Sequence, residues 1–304
     1  MKEIKMSEII KNRSELLFCY DVTDANPNGD PLDENKPRID EETGLNFVTD
    51  VRLKRTIRDY FIAYKGFDGT GDKDVFVKEK FVEGDENKGI QDGKLRAKDF
   101  DNNKEKILNT CIDIRLFGGV LPLEKDSITY TGPVQFKIGR SLHKVAMKHI
   151  QGTGAFASKA GVKQRTFREE YVLFYSFIAF HGIINQNAAQ HTGMTEEDEQ
   201  LLLEAIWHGT KNLISRSKFG QQPRLLVKID YQTPNFFIGD LDKKIKLVSS
   251  KNDLQIRSIA DFKIDITDLN NAILAAGSHI SAIFYQKDPK LEIDIPSNWR
   301  LLNL

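Results

Sequence analysis

Cysteine is scarce in this chain. Its 304 residues include two, Cys19 and Cys111, too far apart for the close pairing that zinc and redox sites use. That excludes a disulfide-stapled scaffold or a zinc ribbon; each thiol reads as a small core residue in a reducing, intracellular setting. Long apolar runs are also missing. No stretch approaches the ~20 uncharged apolar residues of a membrane span, and the opening MKEIKMSEIIKNRSE has no apolar signal core. The expectation is a soluble, cytoplasmic protein with no membrane partner. Nor does one sign of charge dominate: 44 basic residues balance 44 acidic ones, so a nucleic-acid partner would have to be met by local patches. Walker loops, Gly-x-Ser-x-Gly elbows and His-Glu-x-x-His pairs are absent. Gly152-Thr-Gly154 lacks the strand-to-helix setting of a dinucleotide site and reads as a flexible hairpin piece. His181 and His191 flank GIINQNAAQ, but two isolated ligands do not make a metal site. No cofactor is expected.

The chain is long enough to bury a sizeable core as one domain with insertions. Glu15 to Val22, ELLFCYDV, is a short apolar and aromatic run that reads as a buried strand. Thr49-Asp50 caps a helical pattern, VRLKRTIRDYFIAYK, whose apolar face is Leu53, Ile57, Tyr60, Phe61 and Tyr64. A second helix is expected over about Asn103 to Phe117, stopped by Gly118-Gly119. Val134, Phe136 and Ile138 alternate as in a strand with one buried face. Glu170 to Ile184 is a long aromatic strand, Thr195 to about Ser215 a third helix, and Arg224 to Tyr231 a further strand. Two excursions interrupt this order: residues 66–101, rich in glycine, aspartate and lysine and expected outside the core, and residues 143–168, glycine-bearing and basic. Residues 232–304 are expected to add two short strands and a helix near Asp268 to Ala275. The order predicts an α+β protein, a sheet with helices against one face, as in RRM-like or ferredoxin-like folds.

The segment after the first strand, DANPNGDPLDEN from Asp24 to Asn35, opens like an EF-hand loop. Its second half departs from that pattern, because the bidentate Glu is replaced by Asn35 and the flank is a strand, not a helix. An Asx-turn framework built from Asn26, Asn28 and Asp30 around Pro27 and Gly29 explains the same residues. The acids Asp21, Asp24, Asp30, Asp33 and Glu34 otherwise suggest a nuclease metal cluster, although their spacing matches no two-metal pattern. Cations gather around the loop. Lys36 and Arg38 lie within it, and Lys54, Arg55 and Arg58 share one arc of the first helix, either as an ordinary solvated face or as a row for phosphates. In the second excursion Phe156, Lys159, Lys163, Arg165, Phe167 and Arg168 interleave charge with aromatic surface, which suits single-stranded RNA.

Together, YDVTDANPNGDP, KPRID, GLNFVTDVRLKRTIRDY, DIRLFGG and GPVQFKIGRS, with a weaker echo in FHGIINQNAAQHTG, closely resemble the backbone subunit of type I CRISPR Cascade complexes, in the subtype I-B branch. The resemblance covers Tyr20 to Ser141. It implies an RRM-like palm with inserted fingers (66–101) and a thumb (143–168), and residues 232–304 elaborating the palm. Copies would stack along CRISPR RNA beside other Cascade subunits and present the guide to a target DNA strand, without enzymatic activity. By position, Lys36, Arg38, Lys54, Arg55 and Arg58 match the family's basic loop and helix for guide phosphates, and Gly139, Arg140 and Ser141 match its strand-end motif. Val48-Thr49-Asp50 stands where the wider superfamily commonly has Ser-Ser-Gln. Two alternatives remain open: an RNA-cleaving relative of the type III kind using a loop aspartate, and a metal-dependent phosphohydrolase.

Overall fold

The computed structural model describes residues 8–123, 127–157 and 165–304, and within them the side chains of all but 153–157 and 165–167. The first strand, β1 (Ser14–Ala25), is buried almost end to end. That continuity marks a strand covered on both faces, because a one-sided strand would alternate. After two-residue strands β2 (Gly29–Asp30) and β3 (Lys36–Pro37) pair across the loop, β4 (Leu45–Val48) leads into α1 (Asp50–Tyr64). The Thr49 side chain accepts from the Arg52 amide and caps that helix.

The first excursion differs from its expectation. It has a core of its own, in which Phe76, Ala97 and Phe100 pack with Ile107, Cys111, Ile114 and Leu121, and it gives Phe67 and Val75 to the main core. Its short helix α2 (Gly93–Lys98) carries Arg96, whose buried guanidinium lies 2.5 Å from the buried Asp74 carboxylate. The second helix is also broken in two, α3 (Lys104–Thr110) and α4 (Ile112–Phe117). Cys111 between them has extended backbone, and the Ile112 amide donates to the Asp74 carbonyl.

Strands β5 (Gly118–Pro122) and β6 (Ser127–Thr131) form a separate ribbon, followed by β7 (Val134–Phe136) and β8 (Gly139–Lys144). The predicted continuous strand ends at Phe136, and Ile138, expected inside, is exposed. The chain passes so near the Phe180 ring that a Cβ on Gly139 would lie 2.3 Å from it. Next come β9 (Met147–Ala157) and the twenty-residue β10 (Arg165–Ile184), then α5 (Gln186–Thr192), α6 (Glu196–Lys211) and β11 (Gln221–Tyr231). Thr195 and Asp198 form a capping box on α6. The remainder holds β12 (Lys246–Val248), β13 (Lys263–Asp265), α7 (Thr267–Ala276), β14 (Ile280–Lys287) and β15 (Arg300–Leu301).

The main sheet runs β15-β14-β11-β1-β10-β8-β4, with β7 and β9 also paired to β10. Within it β11, β1, β10 and β8 each run antiparallel to their neighbours. One face is covered by α1 and α6 through Ile57, Phe61, Leu202 and Ile206; the other is covered by the C-terminal segment through Leu241, Ile256, Phe262, Leu269 and Trp299. The second excursion begins later than expected. His143 belongs to β8 and is buried, stacked on Tyr175 with its Nδ1 2.8 Å from the Lys144 carbonyl, and the β9–β10 hairpin starts only at Met147. Among the described residues, no helix is long and apolar enough to cross a membrane.

Candidate nucleic-acid interface

The loop between β1 and α1 is a locked structure. Asp30 Oδ1 accepts from the Leu32 amide at 3.0 Å, and the Asp30 carbonyl accepts from the amides of Asp33 and Asn35. The buried Asn26 donates to the Asn35 carbonyl at 2.7 Å. A side chain on Gly29 has no room, since its Cβ would stand 2.0 Å from Asn35 Oδ1. Pro27 is buried beneath. Asn28 ties the loop to the helix: its Oδ1 accepts from the Thr49 amide at 2.9 Å and from the Thr49 hydroxyl at 3.0 Å. The amide-rich start of α1 therefore sits at a fixed place beside the loop.

Asp30, Asp33 and Glu34 are engaged in that framework, and among the described residues the loop acids do not gather into a ligand set. Asp30 Oδ2 accepts from Arg38 at 2.8 Å, Asp33 and Glu34 pair with Lys36, and Asp24 is exposed. Asp21 belongs elsewhere, buried in the core with Arg224 at 2.9 Å and the Tyr175 hydroxyl at 2.9 Å; burial raises its pKa despite these partners.

The predicted row on α1 divides. Arg58 is turned inward, its guanidinium 2.9 Å from the fully buried Asp113 and over the Phe117 ring. Asp113 in turn accepts from the Phe76 and Val77 amides, so this pair fastens α1 to the first excursion. A phosphate role for Arg58 is corrected on that ground: breaking a buried pair leaves an uncompensated charge and costs about 3–5 kcal/mol. Lys54, one turn before, is also mostly covered, bonded to Asp50 at 3.0 Å and Gln135 at 3.1 Å. Arg55 alone of the three points outward, paired with Asp59 at 2.7 Å. Ser141 is likewise corrected from surface contact to internal brace. It is buried, donates to the His143 carbonyl at 2.7 Å and accepts from the Asn46 amide at 2.9 Å.

Arg140, its neighbour in β8, is half exposed, 3.5 Å from Asp40 and above the Phe47 ring. Phe47 pairs with Arg140 in the sheet, and its amide donates to the Arg38 carbonyl, which brings Arg38 and Arg140 to one edge. The same edge meets the base of the hairpin. Lys36 lies over the Tyr171 ring at 5.3 Å, the Tyr171 hydroxyl donates to Glu34 at 2.8 Å, and His149 stacks on Tyr171 at 4.4 Å. Arg168 follows at the surface, 2.6 Å from Glu170. Lys159 and Lys163 lie outside the described residues, and Phe156 and Arg165 stand on β9 and β10 with side chains outside the description.

Three cations were not singled out in the sequence. Arg216 shares Glu170 with Arg168. Lys218 reaches under the loop to donate to the Asn26 carbonyl at 2.5 Å, with Arg52 as its charged neighbour. Burial and the Arg52 guanidinium push the Lys218 ammonium down to about 8. Arg52 donates to the Thr56 hydroxyl at 3.1 Å and has Asp59 as a charged neighbour; an anion near the start of α1 would favour the charged form of Lys218. The separation of Lys218 and Arg52 in sequence hides their proximity, because Lys218 comes from the turn before β11 and Arg52 from α1.

Residues 12–267 match the family described as CRISPR-associated protein Cas7. A CRISPR-associated protein Cas7 from Haloferax volcanii is 32% identical over 313 aligned positions, covering 93% of this chain and 89% of that protein. A chain of a CRISPR RNA-guided surveillance complex in a pre-nicking state superimposes with a TM-score of 0.56 at 13% identity, over 96% of each chain. A chain of another CRISPR RNA-guided surveillance complex gives 0.56 and 13%, over 96% of this chain and 95% of that one.

Proposed function

This chain belongs to the Cas7 family of CRISPR-associated proteins, and from that membership we propose that it is the backbone subunit of a Cascade-type complex, binding CRISPR RNA by its phosphates without cutting it. Copies stack along the RNA with other Cascade subunits and hold the guide for pairing with target DNA. The quoted motifs support the subtype I-B branch. β1, α1, β8, β10, α6 and β11 form an RRM-like palm, supported by the strand order β11-β1-β10-β8 and by α1 and α6 lying on one face. Residues 66–101 serve as fingers and the β9–β10 hairpin as the thumb.

The observation that carries this reading is the meeting of the locked loop, the start of α1 and the hairpin base along one cation-lined edge. An RRM commonly stacks bases on its open sheet face; here that face is covered by the C-terminal segment. The edge remains, and its Arg38, Arg140 and Arg168 engage acids in partly or largely exposed pairs, as does Arg55 further along α1 beside the first excursion. Exposed pairs contribute little net stability, so a phosphate can replace the carboxylate at small cost. Binding of single-stranded RNA measured against salt tests this. Arg55→Ala and Arg140→Ala should each lower the log–log slope by about 0.7, whereas Arg58→Ala should cost stability and leave the slope unchanged in the folded fraction. Unaltered slopes in the first two variants would remove the phosphate role. The same RNA incubated with magnesium should stay intact; cleavage that disappears in Asp30→Ala would turn the reading to a ribonuclease.

A further inference from the structure

On the sheet face covered by the C-terminal segment, β1 and β10 bring Glu15 and His181 side by side, with His181 Nε2 2.7 Å from Glu15 Oε1. Glu15 is fully buried and heavily engaged. It also accepts from the Ile238 amide at 2.8 Å, the Gly239 amide at 2.9 Å and the Tyr231 hydroxyl. This fixes one nitrogen of the ring: Nε2–H donates to the carboxylate, and Nδ1, which carries a lone pair in the neutral ring, faces away from it. His181 is 6% exposed, and its Nδ1 has no hydrogen-bond partner. It points at Asp242 Oδ1, 3.9 Å away, which is buried and equally without a partner. A third donor stands beside them. Ligand atoms of His181, Asp240 and Asp242 all lie within 4.8 Å of one another.

In the neutral ring Nδ1 and Asp242 Oδ1 are two buried acceptors facing each other across a gap too long for a hydrogen bond, and they repel unless something positive lies between them. A histidine that ligates a metal through one nitrogen characteristically gives its other N–H to a carboxylate, which orients the ring and raises its basicity. Glu15 is placed for that service. One imidazole and two carboxylates suit a borderline divalent cation, with a coordination position left for water.

We propose that His181 Nδ1, Asp242 and Asp240 bind one divalent cation of the zinc type, which pins residues 232–243 to the end of the sheet. Metal–ligand bonds of about 2.0–2.2 Å set tetrahedral ligand separations of about 3.4 Å, so the Nδ1–Oδ1 gap closes by about half an ångström. Asp240 is the adjustable ligand. It is exposed, and it now pairs with Lys137 and, at 3.7 Å, with Lys243. Lys137 therefore competes with the metal for the same carboxylate.

The test uses the full chain, stripped with a chelator and titrated with zinc chloride alone by calorimetry, with cobalt(II) chloride as a spectroscopic probe. One equivalent per chain should bind, with a visible cobalt band. Zinc at about a hundred times its dissociation constant should raise the melting temperature by about 5 °C. Asp242→Asn and Asp240→Asn preserve size and fold and should each weaken binding at least tenfold; Lys137→Ala should tighten it. A folded wild-type chain that takes up no stoichiometric zinc overturns the proposal. So does zinc binding that is unchanged in both asparagine variants, because the metal then sits elsewhere.

Discussion

Lys218 joins the proposed RNA edge to a measurable proton. With its pKa held down near 8 by burial and by Arg52, it is charged at neutral pH and becomes neutral as the pH rises through that value. A bound phosphate favours the charged form, so the complex holds a proton that the free protein releases above about 8. RNA affinity should therefore fall with rising pH above that point, by up to tenfold per unit, until the complex also loses the proton. Lys218→Arg keeps its charge throughout and should flatten the profile. Wild-type affinity that stays level from pH 7 to 9.5 would show that Lys218 meets no phosphate. Neither Lys218 nor Arg52 was legible as a pair in the sequence, since only the closing of β11 onto β1 brings them together. Arg58 shows the opposite limit. Its i, i+4 spacing from Lys54 was legible, but whether that arc faces water or Asp113 depends on where α4 packs, which the helix pattern does not contain. Asn28 and Gly29 were legible because their constraint is local: a turn that needs an amide side chain and a position with no Cβ.

At the scale of elements, the hairpin is where sequence and structure diverge most usefully. The aromatic half of β10, from Glu170 to Ile184, announces itself as a strand because it is buried in the sheet between β1 and β8. The stretch Arg168 to Glu170 leading into it carries no apolar residue, and its side chains are exposed or half-buried. It is held instead by backbone pairing with β9, with Arg168 opposite Gly152 and Tyr171 opposite His149. Replacing residues 153–161 with a short Gly/Ser linker should accordingly leave the melting temperature close to wild type. It should weaken stacking of copies on long RNA more than binding of one copy to short RNA, since contacts between copies contribute only to the former. Light scattering across a series of RNA lengths measures this. Normal assembly by the shortened chain would reduce the hairpin to a surface loop, and failure to fold would assign it to the core. The break of the second helix at Cys111 was not legible for a related reason: the run has a helical pattern on both sides, and the partner that breaks it, Asp74, lies far away in sequence.

Across the whole molecule, the apolar run of β1 was legible as a buried strand, and the α+β class followed from the order of elements. What covers the second face was not legible, because residues 232–304 form short, irregular pieces whose apolar residues make sense only against Leu17, Tyr175, Phe177 and Val227. On the proposed reading, that cover turns RNA binding away from the sheet face and toward the edge made by the loop, the start of α1 and the hairpin. The account therefore stands on the chain carrying a guide along that edge. The most direct measurement is to purify the protein from cells that also hold a transcribed CRISPR array, extract any bound RNA and sequence it. The account predicts RNA of discrete length combining repeat and spacer sequence, retained by the wild type and depleted in an Arg55→Ala/Arg140→Ala double variant. Recovery of no RNA above background, or of random cellular fragments equally abundant in the variant, would contradict it.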